Sequence, residues 1–126
     1  MRPILDDLKI LVLEDEFLIA MDVEQLCLDH GAASVTVARS LEEVDEGIEF
    51  DAAIVDVILG GEPTFDFAER LVQAGTPFVF ASGYTDSGEV AKRFPGVALV
   101  GKPYAGQDLI NAIAAACGRL HASRSA

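Results

Sequence analysis

Apolar residues in this chain gather into five short runs, at 9–13, 34–38, 52–56, 77–81 and 97–100. Between the runs they recur every three or four positions. Short apolar runs predict strands, and the 3.6-residue recurrence predicts helices. The run 52–56 is apolar on both faces, which predicts a central strand covered on both sides. In 34–38, Val35 and Val37 alternate with Ser34 and Thr36, which predicts an edge strand.

The intervening stretches predict helices of unequal quality. In 17–30, Ile19, Val23, Leu26 and Cys27 share a face, and Gly31 stands at the C-terminal cap position. Ser40-Leu41-Glu42-Glu43 is a capping-box sequence, so a second helix is expected with Leu41, Val44 and Ile48 inward. A third, 64–74, turns Phe67, Ala68 and Leu71 inward and closes at Gly75. The fourth, 86–94, is short and polar, with Val90, Ala91 and Phe94 as its apolar residues. The last, 107–120, carries Leu109, Ile110, Ile113, Cys117 and Leu120 on one stripe. Strands alternating with helices predict an α/β fold: a parallel sheet with right-handed crossovers. The whole chain, 1–126, is expected to form one domain with its core at about 8–120 and a short tail at 121–126.

Composition narrows the function classes. At 126 residues and 51% hydrophobic, the chain can bury a real core. Its net charge of −12 argues against nucleic-acid binding, because phosphate contacts need Lys and Arg. There is no basic amphipathic segment for anionic lipid and no apolar run near the roughly 20 residues that span a bilayer. Asp6, Asp7 and Glu14 interrupt what would be a signal peptide's apolar stretch, so a cytoplasmic location is expected. Cys27 and Cys117 lie on apolar stripes and are read as buried free thiols.

The candidate chemistry lies just past the strand ends. Glu14-Asp15-Glu16 follows the first run, Asp56 ends the third, Ser82 follows the fourth, and Gly101-Lys102-Pro103 follows the fifth. In an open parallel α/β sheet, ligands bind in the crevice beyond the carboxyl ends of the strands. If the strands are neighbours, Glu14, Asp15 and Asp56 converge, and carboxylates that close need a cation or a proton. Mg²⁺ suits such hard oxygen donors, with Asp15 and Asp56 as direct ligands and Glu14 acting through a coordinated water. Asp56, on the most apolar strand, is the candidate nucleophile toward phosphorus. Lys102 supplies a fixed ammonium and Ser82 a hydroxyl for phosphoryl oxygens, and Gly83 leaves the backbone free to approach them. Singly, each residue has an ordinary explanation: a turn or helix cap for an Asp, dipole complementation for Glu14-Asp15-Glu16. Their order along four strand ends is what singles them out. His30 and His121 lack ligand-like spacing and read as surface residues, and no P-loop, Cys/His cluster or nucleophile elbow is present.

Glu14-Asp15, Asp56, Ser82 and Lys102-Pro103 together resemble the response-regulator receiver domains of two-component signalling, over essentially the whole chain. The resemblance implies a flavodoxin-like (βα)5 fold with strand order 2-1-3-4-5. It implies that Asp56 accepts a phosphoryl group from a phosphohistidine of a sensor histidine kinase or a histidine phosphotransfer protein. Glu14, Asp15, Asp56 and the backbone carbonyl of Ile58 would arrange Mg²⁺, and a cis Lys102–Pro103 bond would aim the lysine into the pocket. Such a protein is not an enzyme beyond its own phosphorylation and dephosphorylation. Two departures stand out. Receivers commonly carry an aromatic switch residue three positions before the lysine, and here that position is Leu99. Phe80-Ala81-Ser82-Gly83-Tyr84 instead resembles the subgroup with Phe-Ala-Thr-Gly-Tyr, which moves attention to Tyr84.

Two other readings compete: a receiver-like interaction module that does not use phosphorylation, and a Mg²⁺-dependent phosphatase or phosphotransferase with an Asp nucleophile. The acids and lysine at the strand ends argue against the first. Ile58, where such phosphatases carry a second acid, argues against the other. The polar stretch 86–94 buries little, and switching elements come from segments of low local stability. The face formed by 84–94, the strand end 99–104 and the last helix is therefore the expected contact surface for a downstream protein. A role as a phosphate sink is the alternative.

Overall fold

The computed structural model describes residues 3–44, 47–83, 87–102 and 105–119, without the side chain of Ser87. Among these, β1 (Lys9–Leu13), α1 (Phe17–Asp29), β2 (Ser34–Ala38), β3 (Ala52–Asp56), β4 (Ile58–Leu59) and β5 (Glu62–Pro63) come first. They are followed by α2 (Phe65–Ala74), β6 (Phe78–Ser82), α3 (Ser87–Arg93), β7 (Leu99–Gly101) and α4 (Gly106–Ala116). Five strands form one parallel sheet in the order β2-β1-β3-β6-β7. Because β4 and β5 form a separate hairpin, this is the expected 2-1-3-4-5 order counted over the main sheet alone.

Period-2 alternation along each strand divides the core in two. Ile10, Val12, Ile54, Val79 and Ala81 face α1 and α4, meeting Val23, Cys27, Leu109, Ile110 and Ile113. Leu11, Leu13, Ala53, Val55, Phe78 and Phe80 face the other way, toward Phe67, Leu71, Val90 and Phe94. All five residues of β3 are buried, as its apolar character requires, and β2 lies at the sheet edge. Each fully buried Leu, Ile or Phe contributes about 1.5–3 kcal/mol relative to exposure. The packed region also reaches upstream of β1, where Leu5 is fully buried and its amide donates to the carbonyl of His30. Gly31 adopts φ +98°, and a Cβ there would lie 2.5 Å from Pro3 Cβ. Cys27 is a buried free thiol and Cys117 a half-buried one. Burial pushes the Cys27 thiol up to about 12, so it stays uncharged. Among the described residues no helix is long and apolar enough to cross a membrane.

The capping-box expectation fails. Only a 3₁₀ turn, Leu41–Glu43, forms in the crossover between β2 and β3, and Ser40 makes no side-chain cap. The Glu43 carboxylate accepts from the amide of Arg39 at 2.8 Å, one residue before the amide that a capping box would use. Leu41, Val44 and Ile48 are half-buried rather than inward on a helix. The sequence explains the outcome: Glu42, Glu43, Asp45, Glu46 and Glu49 would place like charges three and four residues apart, and Gly47 follows within a turn.

Candidate functional site

The sheet order reverses direction between β1 and β3, and a crevice opens beyond their carboxyl ends. Glu14 and Asp15 leave β1 into it, and Asp56 closes β3. One carboxylate oxygen from each of the three lies within 4.8 Å of the others. Lys102, one residue past β7, brings its ammonium to 2.7 Å from Glu14 Oε1 and 2.9 Å from Asp56 Oδ2. Its position is set by its own amide, which donates to the carbonyl of Ser82 at 2.8 Å.

Burial makes this cluster electrostatically demanding. Glu14 is 1% exposed and Asp56 4%, while Asp15 is half-buried. Glu14 Oε2 accepts the amide of Glu16 at 3.0 Å. Glu14 Oε1 lies 2.7 Å from the lysine ammonium in a buried ion pair. Burial pushes the Asp56 carboxyl up from 3.8 to about 6. The hydrogen bond and charge of Lys102 pull it back, and the charges of Glu14 and Asp15 add to the rise. For Lys102, burial acts to lower the pKa, but contact with Glu14 and Asp56 outweighs it and holds the ammonium above its usual range. Three carboxylates against one ammonium leave the pocket anionic. With an oxygen from each of three carboxylates this close together, two of them buried, the set could hold a hard divalent cation.

The raised Asp56 pKa has a consequence for stability. An acid whose folded pKa exceeds its unfolded value stabilises the fold when protonated, and that stability is lost as pH rises from about 4 to about 6. Ionised Asp56 is therefore a cost at neutral pH. Asp56→Asn should raise the unfolding free energy at pH 7.5 in metal-free buffer by about 1–2 kcal/mol, a figure reduced for solvent screening at the pocket mouth. The gain should vanish near pH 4. Urea unfolding at the two pH values checks it, and a loss at pH 7.5 would refute it.

The structure thus brings together Glu14, Asp15, Asp56 and Lys102. Ser82 is buried at the end of β6, in register with Gly101. Ile58 opens β4 two residues after Asp56 with its side chain exposed. Leu99 is half-buried and packs into the core cluster around Phe80 and Phe94. Tyr84 and the Lys102–Pro103 bond lie outside the described residues. Sequence reasoning missed the hairpin, in which Gly60 and Gly61 adopt φ +59° and +85°. The signal was present, since two glycines between short extended segments favour a type I′ turn. The hairpin matters because its Gly60 amide donates to Asp15 Oδ2 at 3.3 Å. Thr64, whose hydroxyl donates to the carbonyl of Asp56 at 2.6 Å, was also missed, and no sequence signal distinguishes it from an ordinary helix cap.

No protein-family model and no curated protein matches the chain. Solved structures do. A response regulator receiver protein from Sinorhizobium medicae WSM419 is 26% identical, with 92% of this chain and 99% of that chain covered and a TM-score of 0.77. The response regulator PhyR from Brucella abortus is 25% identical over 98% of this chain and 52% of that chain, TM-score 0.77. The non-phosphorylated HemR receiver domain from Leptospira biflexa, 20% identical, shares the fold over 91% of this chain and 98% of its own, TM-score 0.76. The chain has the receiver fold of response regulators.

Proposed function

We propose that this chain is a phosphorylatable receiver that takes a phosphoryl group onto Asp56 from a phosphohistidine of a sensor histidine kinase or a histidine phosphotransfer protein. The observation that carries the reading is the lysine ammonium held between two buried strand-end carboxylates, with a third within reach. An Asp56 oxygen attacks phosphorus, the P–N bond breaks, and the imidazole leaves with the electron pair, giving an acyl phosphate. The incoming phosphoryl oxygens replace carboxylate as the partner of Lys102, and the Ser82 hydroxyl donates to another of them. Glu14, Asp15, Asp56 and the Ile58 carbonyl would hold Mg²⁺, which neutralises charge on the transferring group. Incubation with acetyl phosphate and Mg²⁺, followed by intact mass, tests the reading: one added phosphoryl group on Asp56 is expected. No added mass would refute it.

The signal is proposed to leave through α3, the end of β7 and α4. Among the described side chains of the seven-residue α3, Val90 is the buried one, and the Arg93 guanidinium lies 4.7 Å from the centre of the Phe65 ring on α2. The Arg93–Glu69 ion pair at 3.1 Å is exposed and adds little. Phe94, just past α3, is buried against Phe65, Phe78 and Phe80 and holds that end. What is open to repacking when Ser82 turns to a phosphoryl group is therefore the exposed face of α3 ahead of it. Tyr84, in the Phe-Ala-Ser-Gly-Tyr stretch, is the proposed switch residue in place of an aromatic at Leu99. Hydrogen exchange with beryllofluoride as phosphoryl mimic should change protection across 82–94. Changes confined to another face would move the output surface there.

A further inference from the structure

Thr64 stands at the entrance to α2, where a threonine ordinarily gives its side chain to the helix's first free amides. It makes no such cap. Its hydroxyl points back along the chain, 2.6 Å from the carbonyl oxygen of Asp56 and 3.2 Å from that of Val57. A hydroxyl has one proton, and the shorter bond has first claim on it. The residue is 1% exposed, so water does not compete.

The target of that bond is significant. Pairing of β3 with β1 ends at Leu13–Val55, one residue short of Asp56. Toward β6 the backbone is held, since the amide of Val57 donates to Ala81 at 2.8 Å. Thr64 ties the carbonyl of Asp56 and so fixes the backbone from which the carboxylate projects. The Thr64 amide also donates to the carbonyl of Val57 at 3.0 Å, closing the base of the hairpin whose Gly60 reaches Asp15.

We propose that Thr64 is a positioning residue for phosphoryl transfer: its hydroxyl holds the Asp56 backbone so that the carboxylate meets the incoming phosphorus in line. The inference rests on Asp56 being the phosphoacceptor. With acetyl phosphate the Asp56 oxygen bonds to phosphorus, the bridging P–O bond breaks, and acetate leaves with the electron pair. A reacting atom displaced by about 1 Å can cost on the order of 100-fold in rate. Because Thr64 touches neither donor nor phosphoryl group, its loss should lower the maximal rate and leave the half-saturating donor concentration alone.

The test uses the full chain with Mg²⁺ and a range of acetyl phosphate concentrations. Initial labelling rates are read by intact mass and divided by the folded fraction from urea unfolding. Thr64→Val keeps the shape and removes the hydroxyl, and Thr64→Ser keeps the hydroxyl. Thr64→Cys, of similar shape and a weaker donor, supplies the comparison should the valine variant not fold. Expected are a maximal rate about 10- to 100-fold lower for Thr64→Val, a smaller loss for Thr64→Cys, and recovery to within about threefold for Thr64→Ser. Wild-type rates in the folded valine and cysteine variants would overturn the inference, leaving Thr64 only structural. So would a serine variant as slow as the valine one. Wild-type protein that takes no label would overturn the phosphoacceptor reading and this inference with it, whereas labelled wild type beside an equally fast Thr64→Val overturns this inference alone.

Discussion

Asp56→Asn is expected to reduce phosphoryl labelling by acetyl phosphate to background while leaving a folded and somewhat more stable protein. The amide keeps the shape of the carboxylate but has no anionic oxygen to attack phosphorus. No neighbouring acid is placed to take over. Glu14 is buried, with one oxygen on the amide of Glu16 and the other against Lys102. Asp15 receives the Gly60 amide and does not touch the ammonium that must neutralise the transferring group. Opposite changes in reactivity and stability separate loss of the nucleophile from loss of the fold. Labelling of Asp56→Asn at the wild-type level would assign the phosphoryl group elsewhere and dismantle the proposed function.

Removing the ammonium should have the largest effect on stability. Lys102→Met keeps most of the side-chain length and leaves buried Glu14 and Asp56 without their cation. Breaking a buried pair from one side typically costs about 3–5 kcal/mol, and the open pocket reduces that to roughly 2–3 kcal/mol at pH 8 in metal-free buffer. The pH dependence follows from Asp56, whose folded pKa of about 6 already exceeds its unfolded value. Without Lys102 the folded value rises further, so the window in which stability falls with pH extends upward. The difference between wild type and variant in urea should therefore widen from pH 5 to pH 8, and Mg²⁺ should narrow it at pH 8. A difference independent of pH would mean that the lysine's stem, not its charge, matters. Labelling of the variant should also fall, since transfer relies on fixed positive charge.

Several features were legible in the sequence because they depend on short-range periodicity or on a residue's place at a strand end. Which side chains of the all-apolar strands meet which layer of helices was not readable from the sequence, whereas an apolar 52–56 could only be central and the alternating 34–38 an edge. The acids after β1 and β3 and the lysine after β7 were readable for the same reason: in a parallel sheet all those ends open on one side. Tertiary structure decided the rest. The capping box at Ser40–Glu43 satisfied a local rule, yet the Glu43 carboxylate found the Arg39 amide within a crossover whose like charges oppose a helix. The sequence separated Glu14 from Asp15 only as a water-mediated against a direct metal ligand, but the path of β7 delivers the Lys102 ammonium to Glu14 and Asp56 and leaves Asp15 to the hairpin. Thr64 had the composition of a helix cap, and only the ending of the β1–β3 ladder one residue early gave its hydroxyl a better acceptor in the Asp56 carbonyl. Local pattern specifies period and burial, whereas the partner of each polar group depends on which distant segments the fold brings within about 3 Å of it.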